Sequence, residues 1–136
     1  MGECLPLKDE CFDVVLCINA LDNVQIPSDA LKEIRRCLKE KGNMILWVQT
    51  FSTFKVVRNL LGSIDTPHPH HFSDDDVLSL LKDIGYRVDY HRCRKAGIHS
   101  AISVIKAGLF VSGLKSLLAR LLLGLHESSF LCSKAV

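Results

Sequence analysis

The hydrophobic residues in the first part of the chain follow a strand, helix, strand pattern. An almost continuous apolar run, FDVVLCINAL at 12–21, predicts a strand that is buried on both faces of a parallel sheet. Apolar residues then recur at helical spacing from Ser28 to Lys41, and Gly42 is placed to close that helix. A second buried strand, NMILWVQT, follows at 43–50. This order of elements predicts a βαβ unit.

Two more helices are predicted after this unit. The segment Phe51–Asp65 carries apolar residues, Phe54 among them, along one side of a short helix. The second helix starts at Ser73, whose hydroxyl is suited to cap a helix N-terminus, and ends at Gly85. Three aspartates at 74–76 occupy its first turn, where the helix dipole favours negative charge.

Strand patterns return in the last third of the chain. The segments Tyr86–Cys93 and Ser100–Ala107 predict two antiparallel strands joined by a loop. From Leu109 to Leu125, leucines share one helical face. They predict an amphipathic helix that packs on the sheet, pairs with a partner chain or lies on a membrane surface. The tail His126–Val136 matches no pattern, so no element is predicted for it.

Composition narrows the class of protein. The chain has 136 residues, and its 17 basic and 15 acidic side chains are scattered, so no nucleic-acid partner is predicted. The six cysteines form no C-x-x-C pair, which favours reduced thiols and a cytoplasmic location over a disulfide framework. The first residues lack the features of a signal peptide. Lys115 and Arg120 interrupt the longest apolar stretch, so no membrane span is predicted, and peripheral membrane contact stays open.

The spacing of the glycines carries information of its own. No two of the eight glycines stand two residues apart, so the chain contains no G-x-G motif. In many α/β proteins that motif brings the backbone close to a nucleotide. Gly108 and Gly113 have the spacing of part of a phosphate-binding loop, but the lysine and hydroxyl that would complete it are out of register.

Four segments of the chain stand in an order and spacing that a known family shares. They are LPLKDECFDVV at 5–15, NALDNV at 19–24, LKEIRRCLKEKG at 31–42 and HPHHFS at 68–73. In this order they resemble class I S-adenosylmethionine-dependent methyltransferases of the type 11 group, over roughly residues 2 to 107. The chain departs from the family pattern at Leu7, Cys11, Glu40 and Lys41.

The resemblance implies a fold and a cofactor. The fold is α/β, a partial Rossmann-like methyltransferase sheet with flanking helices and a C-terminal amphipathic helix. Of the family strand order 3-2-1-4-5-7-6, it would keep strands four to seven, which form a mixed sheet with an antiparallel C-terminal hairpin. Residues 1–108 would be the C-terminal portion of the methyltransferase domain, and 109–136 the amphipathic helix and tail. The implied cofactor is S-adenosylmethionine, and the implied partner is a small-molecule methyl acceptor.

The resemblance also assigns residues to the cofactor. It implies that the adenine lies near Gly2, Glu3 and Cys4 and that the methionine part lies near Asn19, Ala20 and Leu21. The Asn19 amide both donates and accepts hydrogen bonds, which suits a zwitterionic ligand. The alternatives are that Asn19 only satisfies a turn and that Glu3 is a solvated surface acid.

Candidate groups for the methyl acceptor come from two loops. His70 and His71 follow the second strand, and Asp22 follows the first; a histidine there could orient or deprotonate an acceptor hydroxyl. The alternative is a loop or capping role. No metal site is predicted, because the helix N-terminus explains the aspartates at 74–76 and adjacent histidines point apart.

The absent glycine-rich loop leads to two hypotheses. In the family, that loop and the acid that binds the ribose precede the segment at 5–15, where this chain has four residues. We therefore expect a truncated form whose cofactor site is incomplete and whose binding of S-adenosylmethionine is weak. The alternative is a non-catalytic module that docks on a partner chain through its terminal helix and its first strand, an unpaired apolar edge.

Overall fold

A computed structural model describes residues 4–64, 69–95 and 124–135. Within these ranges it contains four strands and three helices. In chain order they are β1 (Phe12–Ile18), α1 (Pro27–Cys37), β2 (Leu38–Phe51), α2 (Lys55–Ile64), α3 (Asp74–Ile84), β3 (Tyr86–Lys95) and β4 (Leu125–Lys134).

The strands form one mixed sheet in the order β1-β2-β4-β3. β1 runs parallel to β2, and β4 runs antiparallel to both β2 and β3. The α/β class and the mixed sheet agree with the fold that the sequence predicted. The carboxyl ends of β1, β2 and β3 therefore share one edge of the sheet with the amino end of β4.

The core lies between the sheet and the helices α1 and α3. Alternate residues of β2 point into it, and Met44, Leu46 and Val48 have no exposed surface. Leu31 of α1 and Leu81 of α3 pack against them, and both are fully buried. The predicted βαβ unit is thus confirmed, with α1 packed on the parallel pair of strands.

Burial of β1 on both faces was predicted, and this is wrong. The strand lies at the edge of the sheet, where β2 is its partner among the described strands. Val15 and Cys17 pack against the core, but Val14 is 53% exposed and Leu16 is 61% exposed on the opposite face. An apolar run alone does not report whether a second layer covers the strand, because it looks the same in either case.

The predicted end of the first helix at Gly42 is also wrong. The helix stops at Cys37, and Leu38 already has extended backbone as the first residue of β2. Gly42 lies within the strand, where an added Cβ would stand 2.8 Å from Cγ of Leu38 and 3.0 Å from the carbonyl oxygen of Asp13. The glycine therefore permits a close approach of β1 to β2 rather than capping a helix.

The second helix begins later than the sequence predicted, and Phe54 does not face the core. Its carbonyl accepts hydrogen bonds from the amides of Val57 and Arg58, so it stands just before the helix. The Phe54 side chain is 83% exposed. The helical spacing of apolar residues predicted that Phe54 lies on the apolar side of the helix. The hydrophobic pattern does not indicate that the chain is non-helical between Phe51 and Lys55.

The strand β4 comes from the tail for which no element was predicted. Leu125, expected as the last leucine of the amphipathic helix, is its first residue, and the strand lies between β2 and β3. The predicted strand Ser100–Ala107 and the predicted helix from Leu109 onward fall outside the described residues. The sequence of β4, LHESSFLCSK, is too polar to stand out as a central strand.

The predicted start and end of α3 are confirmed. The Ser73 hydroxyl accepts a hydrogen bond from the amide of Asp76 at 3.2 Å, and the Asp76 carboxylate accepts one from the amide of Ser73 at 2.8 Å. This reciprocal pair is a capping box. Gly85 ends the helix at φ 89°, in the left-handed region that glycine adopts readily.

We expect S73A to lower the free energy of unfolding by about 1 kcal/mol, because the helix loses its N-terminal cap. The control is S79A, which removes an exposed hydroxyl inside the same helix and should change stability by less than about 0.5 kcal/mol. Urea denaturation of the three proteins measures the difference. Equal stability of S73A and S79A would contradict the capping role.

Candidate functional site

The candidate site lies at the edge where the parallel strands β1 and β2 end. In open α/β sheets, ligands bind outside the carboxyl ends of the strands. Three segments meet there: the turn after β1, the turn after β2 and the histidine loop before α3. Nε2 of His70 lies 3.1 Å from the carbonyl oxygen of Gln25, which joins the histidine loop to the first turn. The amide of Phe51 donates to the carbonyl of Phe72 at 2.8 Å, which joins the loop to the end of β2.

The turn after β1 is built around Asn19, which has φ 48°. Asparagine is among the few side chains that tolerate this left-handed conformation. The backbone N–H of Asn19 donates to the carbonyl of Trp47 at 2.8 Å. The side-chain amide of Asn23 donates to the backbone carbonyl of Asn19 at 3.1 Å. Asn23 also lies 3.4 Å from the carboxylate of Asp22, which is buried. The turn is therefore fixed by its own polar groups.

Two of the three predicted cofactor residues on this turn border an apolar groove along β1, whereas Asn19 is not among the residues that line it. Ala20 and Leu21 line the groove together with Leu5, and its volume is about 400 Å³. The Leu21 side chain belongs to the core, so it forms the floor of the groove. Cys4 is exposed and precedes Leu5 in the chain. Gly2 and Glu3 lie outside the described residues.

Cys17, which also lines this groove, is not a reactive thiol. Burial, and then the charge of Asp22, raise the pKa of the Cys17 thiol to about 11. The thiol is therefore protonated near neutral pH, and it contributes apolar surface to the groove.

The two predicted histidines lie on the other side of the site. The His70 ring stacks on Phe72 with a centroid distance of 5.7 Å, and the His71 ring packs on Phe51 at 4.9 Å. Both histidines line a cavity of about 240 Å³, and Arg58 forms part of its wall. The structure thus brings the histidine loop and the turn of Asp22 to one edge of the sheet.

A buried polar cluster centred on Asp74 holds this edge together, and the sequence did not reveal it. Oδ1 of Asp74 accepts hydrogen bonds from Thr50 at 2.8 Å and from Ser128 at 2.5 Å. Oδ2 lies 3.5 Å from Nε2 of His91. Asp74 was assigned only to the helix dipole, and Ser128 belongs to a segment without a predicted element. No pattern in the sequence links two residues that are 54 positions apart.

A cavity of about 520 Å³ opens beside this cluster. Asp74, Cys93 and His126 line it, and so does Arg58, which therefore borders both cavities. Burial and the hydrogen bond to Asp74 raise the pKa of the Cys93 thiol, so Cys93 is not activated as a nucleophile. Among the described residues, no three histidine, cysteine, aspartate or glutamate side chains are grouped as a metal site would require.

Protonation of Asp74 should weaken the fold. Burial alone would raise the pKa of this carboxyl, but hydrogen bonds from Ser128, Cys93 and Thr50 and the charge of His91 outweigh it and hold the pKa below that of an ordinary aspartate. A carboxyl whose pKa is lower in the folded state stabilises the fold above its unfolded-state pKa. That stability is lost as the pH falls through the folded-state pKa.

We therefore expect D74N to reduce the loss of stability that the unmodified chain should show as the pH falls below about 5. The matched control is D75N, which removes an exposed carboxylate from the same helical turn and should leave most of that loss in place. Urea denaturation at a series of pH values gives the two slopes. Equal slopes for D74N and D75N would show that Asp74 does not carry the effect.

Comparison with known proteins agrees with this geometry. The sequence signature of a family described as "Methyltransferase domain" matches residues 2–46. An uncharacterised protein of Methanocaldococcus jannaschii is 43% identical over 70 residues, which are 45% of this chain and 31% of that protein. The match to the family includes β1, the turn at Asn19 and α1.

Solved structures share the fold over most of the chain. A SAM-dependent methyltransferase of Thermotoga maritima is 29% identical over 68% of this chain and 45% of its own, with a TM-score of 0.52. A SAM-dependent methyltransferase of Methanosarcina mazei is 17% identical over 100% of this chain and 65% of its own, with a TM-score of 0.65. The chain thus spans less than two thirds of the length of each of these proteins.

The mixed sheet, the family match over residues 2–46 and the structural neighbours support a class I S-adenosylmethionine-dependent methyltransferase-like domain. This agrees with the resemblance that the four sequence motifs predicted. Among the described residues, no helix is both long enough and apolar enough to cross a membrane.

Proposed function

We propose that this domain serves S-adenosylmethionine-dependent methyl transfer to a small-molecule acceptor. The contact between His70 and the carbonyl of Gln25 carries the proposal, because it places the histidine loop against the turn that follows β1. The turn at Asn19 would hold the cofactor, and the histidine loop would meet the acceptor. A cofactor and an acceptor bound to these two segments would be neighbours, as direct transfer requires.

The residues on the cofactor side fit part of S-adenosylmethionine. The groove of about 400 Å³ falls within the size range of small-molecule sites, and its apolar walls at Ala20 and Leu21 suit uncharged parts of the ligand. The Asn19 amide would serve the charged methionine end. By resemblance, Gly2, Glu3 and Cys4 would approach the adenine.

The residues on the acceptor side act by positioning and by proton handling. When bound, S-adenosylmethionine supplies a methyl group that is already electrophilic. His70 or His71 would orient the acceptor and take up a proton from its nucleophilic atom, since both rings line a cavity beside the end of β2. Asp22 is buried next to Asn23, so we assign it to holding the turn in place.

We expect the 136-residue chain to bind S-adenosylmethionine weakly, because it has no G-x-G loop to bring backbone amides to the ligand. The informative variant is N19G, because glycine keeps the left-handed backbone and removes only the amide side chain. Titration with S-adenosylmethionine should shift the backbone NMR resonances of Ala20 and Leu21 in the unmodified chain. In N19G the shifts should be much smaller at equal ligand concentration.

The control for this titration is N43A, which removes a side-chain amide from the amino-terminal half of β2. We expect N43A to respond to the ligand like the unmodified chain. If N19G responded fully, Asn19 would only satisfy the turn. If the unmodified chain showed no response at this turn, the assignment of the cofactor side would be wrong. Tight one-to-one binding in calorimetry would contradict the expectation that the chain binds S-adenosylmethionine weakly.

A second candidate function, docking on a partner chain, is favoured by the exposed edge of β1. Four apolar side chains on one face of this strand are exposed, those of Phe12, Val14, Leu16 and Ile18. An edge strand with free backbone groups and apolar side chains is suited to pairing with another strand. The docked partner would be a chain that contributes a strand beside β1.

For this second function we expect the unmodified chain to self-associate in sedimentation velocity as its concentration rises. V14K places a charge on the exposed face of β1 and should return the chain to a monomer. The control is V56K, at an exposed apolar position on α2 that lies outside the strand. Docking through β1 would be excluded if the unmodified chain stayed monomeric and did not bind a dye that detects exposed apolar surface.

A further inference from the structure

Arg58 is a buried cation between the two cavities of the candidate site. It lies on α2, is 7% exposed, and lines both the cavity of about 240 Å³ and the cavity of about 520 Å³. A buried guanidinium group is costly unless its charge is paired and its N–H groups donate hydrogen bonds. The contacts that Arg58 makes therefore indicate what the residue does.

One group of contacts fastens Arg58 to the start of α3. Nη2 lies 2.6 Å from Oδ2 of Asp76 and 3.3 Å from Oγ of Ser73. These are the two residues of the capping box. The ion pair balances the charge of Arg58. Burial would raise the pKa of Asp76, but the hydrogen bonds from Ser73 and the pairing with Arg58 outweigh it and lower the pKa.

The other contacts go to backbone carbonyls on two different loops. Nε donates to the carbonyl of His71 at 3.1 Å. Nη1 donates to the carbonyl of Thr53, in the turn between β2 and α2. Neither contact is needed to balance the charge, because carbonyl groups are neutral. Their effect is to set the distance between the histidine loop and the turn that follows β2.

This combination of contacts requires an arginine. A lysine at the same position would keep a positive charge near Asp76, but its single ammonium group does not reproduce the flat fork that reaches two loops and a helix at once. The substitution R58K therefore keeps the positive charge near Asp76 and removes the contacts with the two loops.

We propose that Arg58 is a positioning residue, which fixes His71 and its neighbour His70 against the end of β2 by bridging the carbonyls of His71 and Thr53. Its meaning for methyl transfer rests on the proposed function. The placement of the histidines is a property of the chain alone, so it is measured without cofactor or acceptor and fails or succeeds independently of the N19G titration.

The test uses R58K in the full 136-residue chain and records the imidazole resonances of histidine by NMR, with H70Q and H71Q as assignment variants. We expect R58K to shift the resonances of both His70 and His71. We also expect roughly tenfold faster hydrogen exchange at the Phe51 amide, which donates to Phe72 in the same loop.

The matched control is R36K. Arg36 lies on α1 and bonds in a similar way, to the carbonyls of Leu5 and Leu7 and to the carboxylates of Asp9 and Glu33. Among these bonds none goes to a described residue of the histidine loop. R36K should therefore leave the resonances of His70 and His71 and the exchange of Phe51 as in the unmodified chain.

Two outcomes would overturn the proposal. In the first, R58K changes the stability of the chain, but the resonances of His70 and His71 in folded R58K are the same as in R36K. Arg58 would then be a structural residue only. The other concerns the unmodified chain and does not depend on whether R58K folds. The Nε proton of Arg58 should exchange slowly and show coupling across its hydrogen bond to the carbonyl of His71, and rapid exchange without that coupling would contradict the bridge.

Discussion

The partly buried carboxylate of Asp74 is the constraint on which the candidate site depends. Thr50 and Ser128 are both buried, and the hydroxyl of each donates a hydrogen bond to this carboxylate. Leaving either hydroxyl unpaired in the interior would cost about 1–3 kcal/mol. The first turn of α3 is therefore held to β2 and to β4 at the same point. Because β4 lies between β2 and β3, this attachment also fixes the edge of the sheet at which both cavities open.

Two aspartates in one helical turn have separate tasks. Asp74 faces the sheet and bonds to its hydroxyls, whereas Asp76 caps its own helix and pairs with Arg58. The helix dipole favours negative charge at both positions, so it stabilises both carboxylates without deciding what they bind. The dipole explains why aspartates are tolerated there, and the hydrogen-bond partners explain what each one does. The histidine loop directly precedes this turn. Its position therefore depends on the contacts of Asp74 with the sheet and of Asp76 with Arg58.

Local signals in the sequence predicted the parts of the fold that local chemistry controls. The cap at Ser73, the left-handed end at Gly85 and the helical stripe of α3 depend on residues within a few positions of one another. The missed features depend on distant partners. The sequence around Gly42 does not show that the backbone of Asp13 lies against it, and β4 becomes a strand because β2 and β3 flank it. In the same way, the family motifs pointed to the turn at Asn19, but the contacts of Asp74 and Arg58 needed three-dimensional neighbours.

The two sides of the candidate site differ in how they are supported. The histidine side is enclosed by buried ionic and hydroxyl contacts, so its geometry is set within the described part of the chain. The groove at Ala20 and Leu21 runs along β1, whose Val14 and Leu16 side chains are exposed and whose one described partner is β2. A strand held on one side has fewer constraints on its position than a central strand. Any ligand or chain that packs along β1 would therefore order the cofactor side more than the acceptor side. Binding at the turn of Asn19 and docking at the edge of β1 would then be coupled, since both act on the same strand.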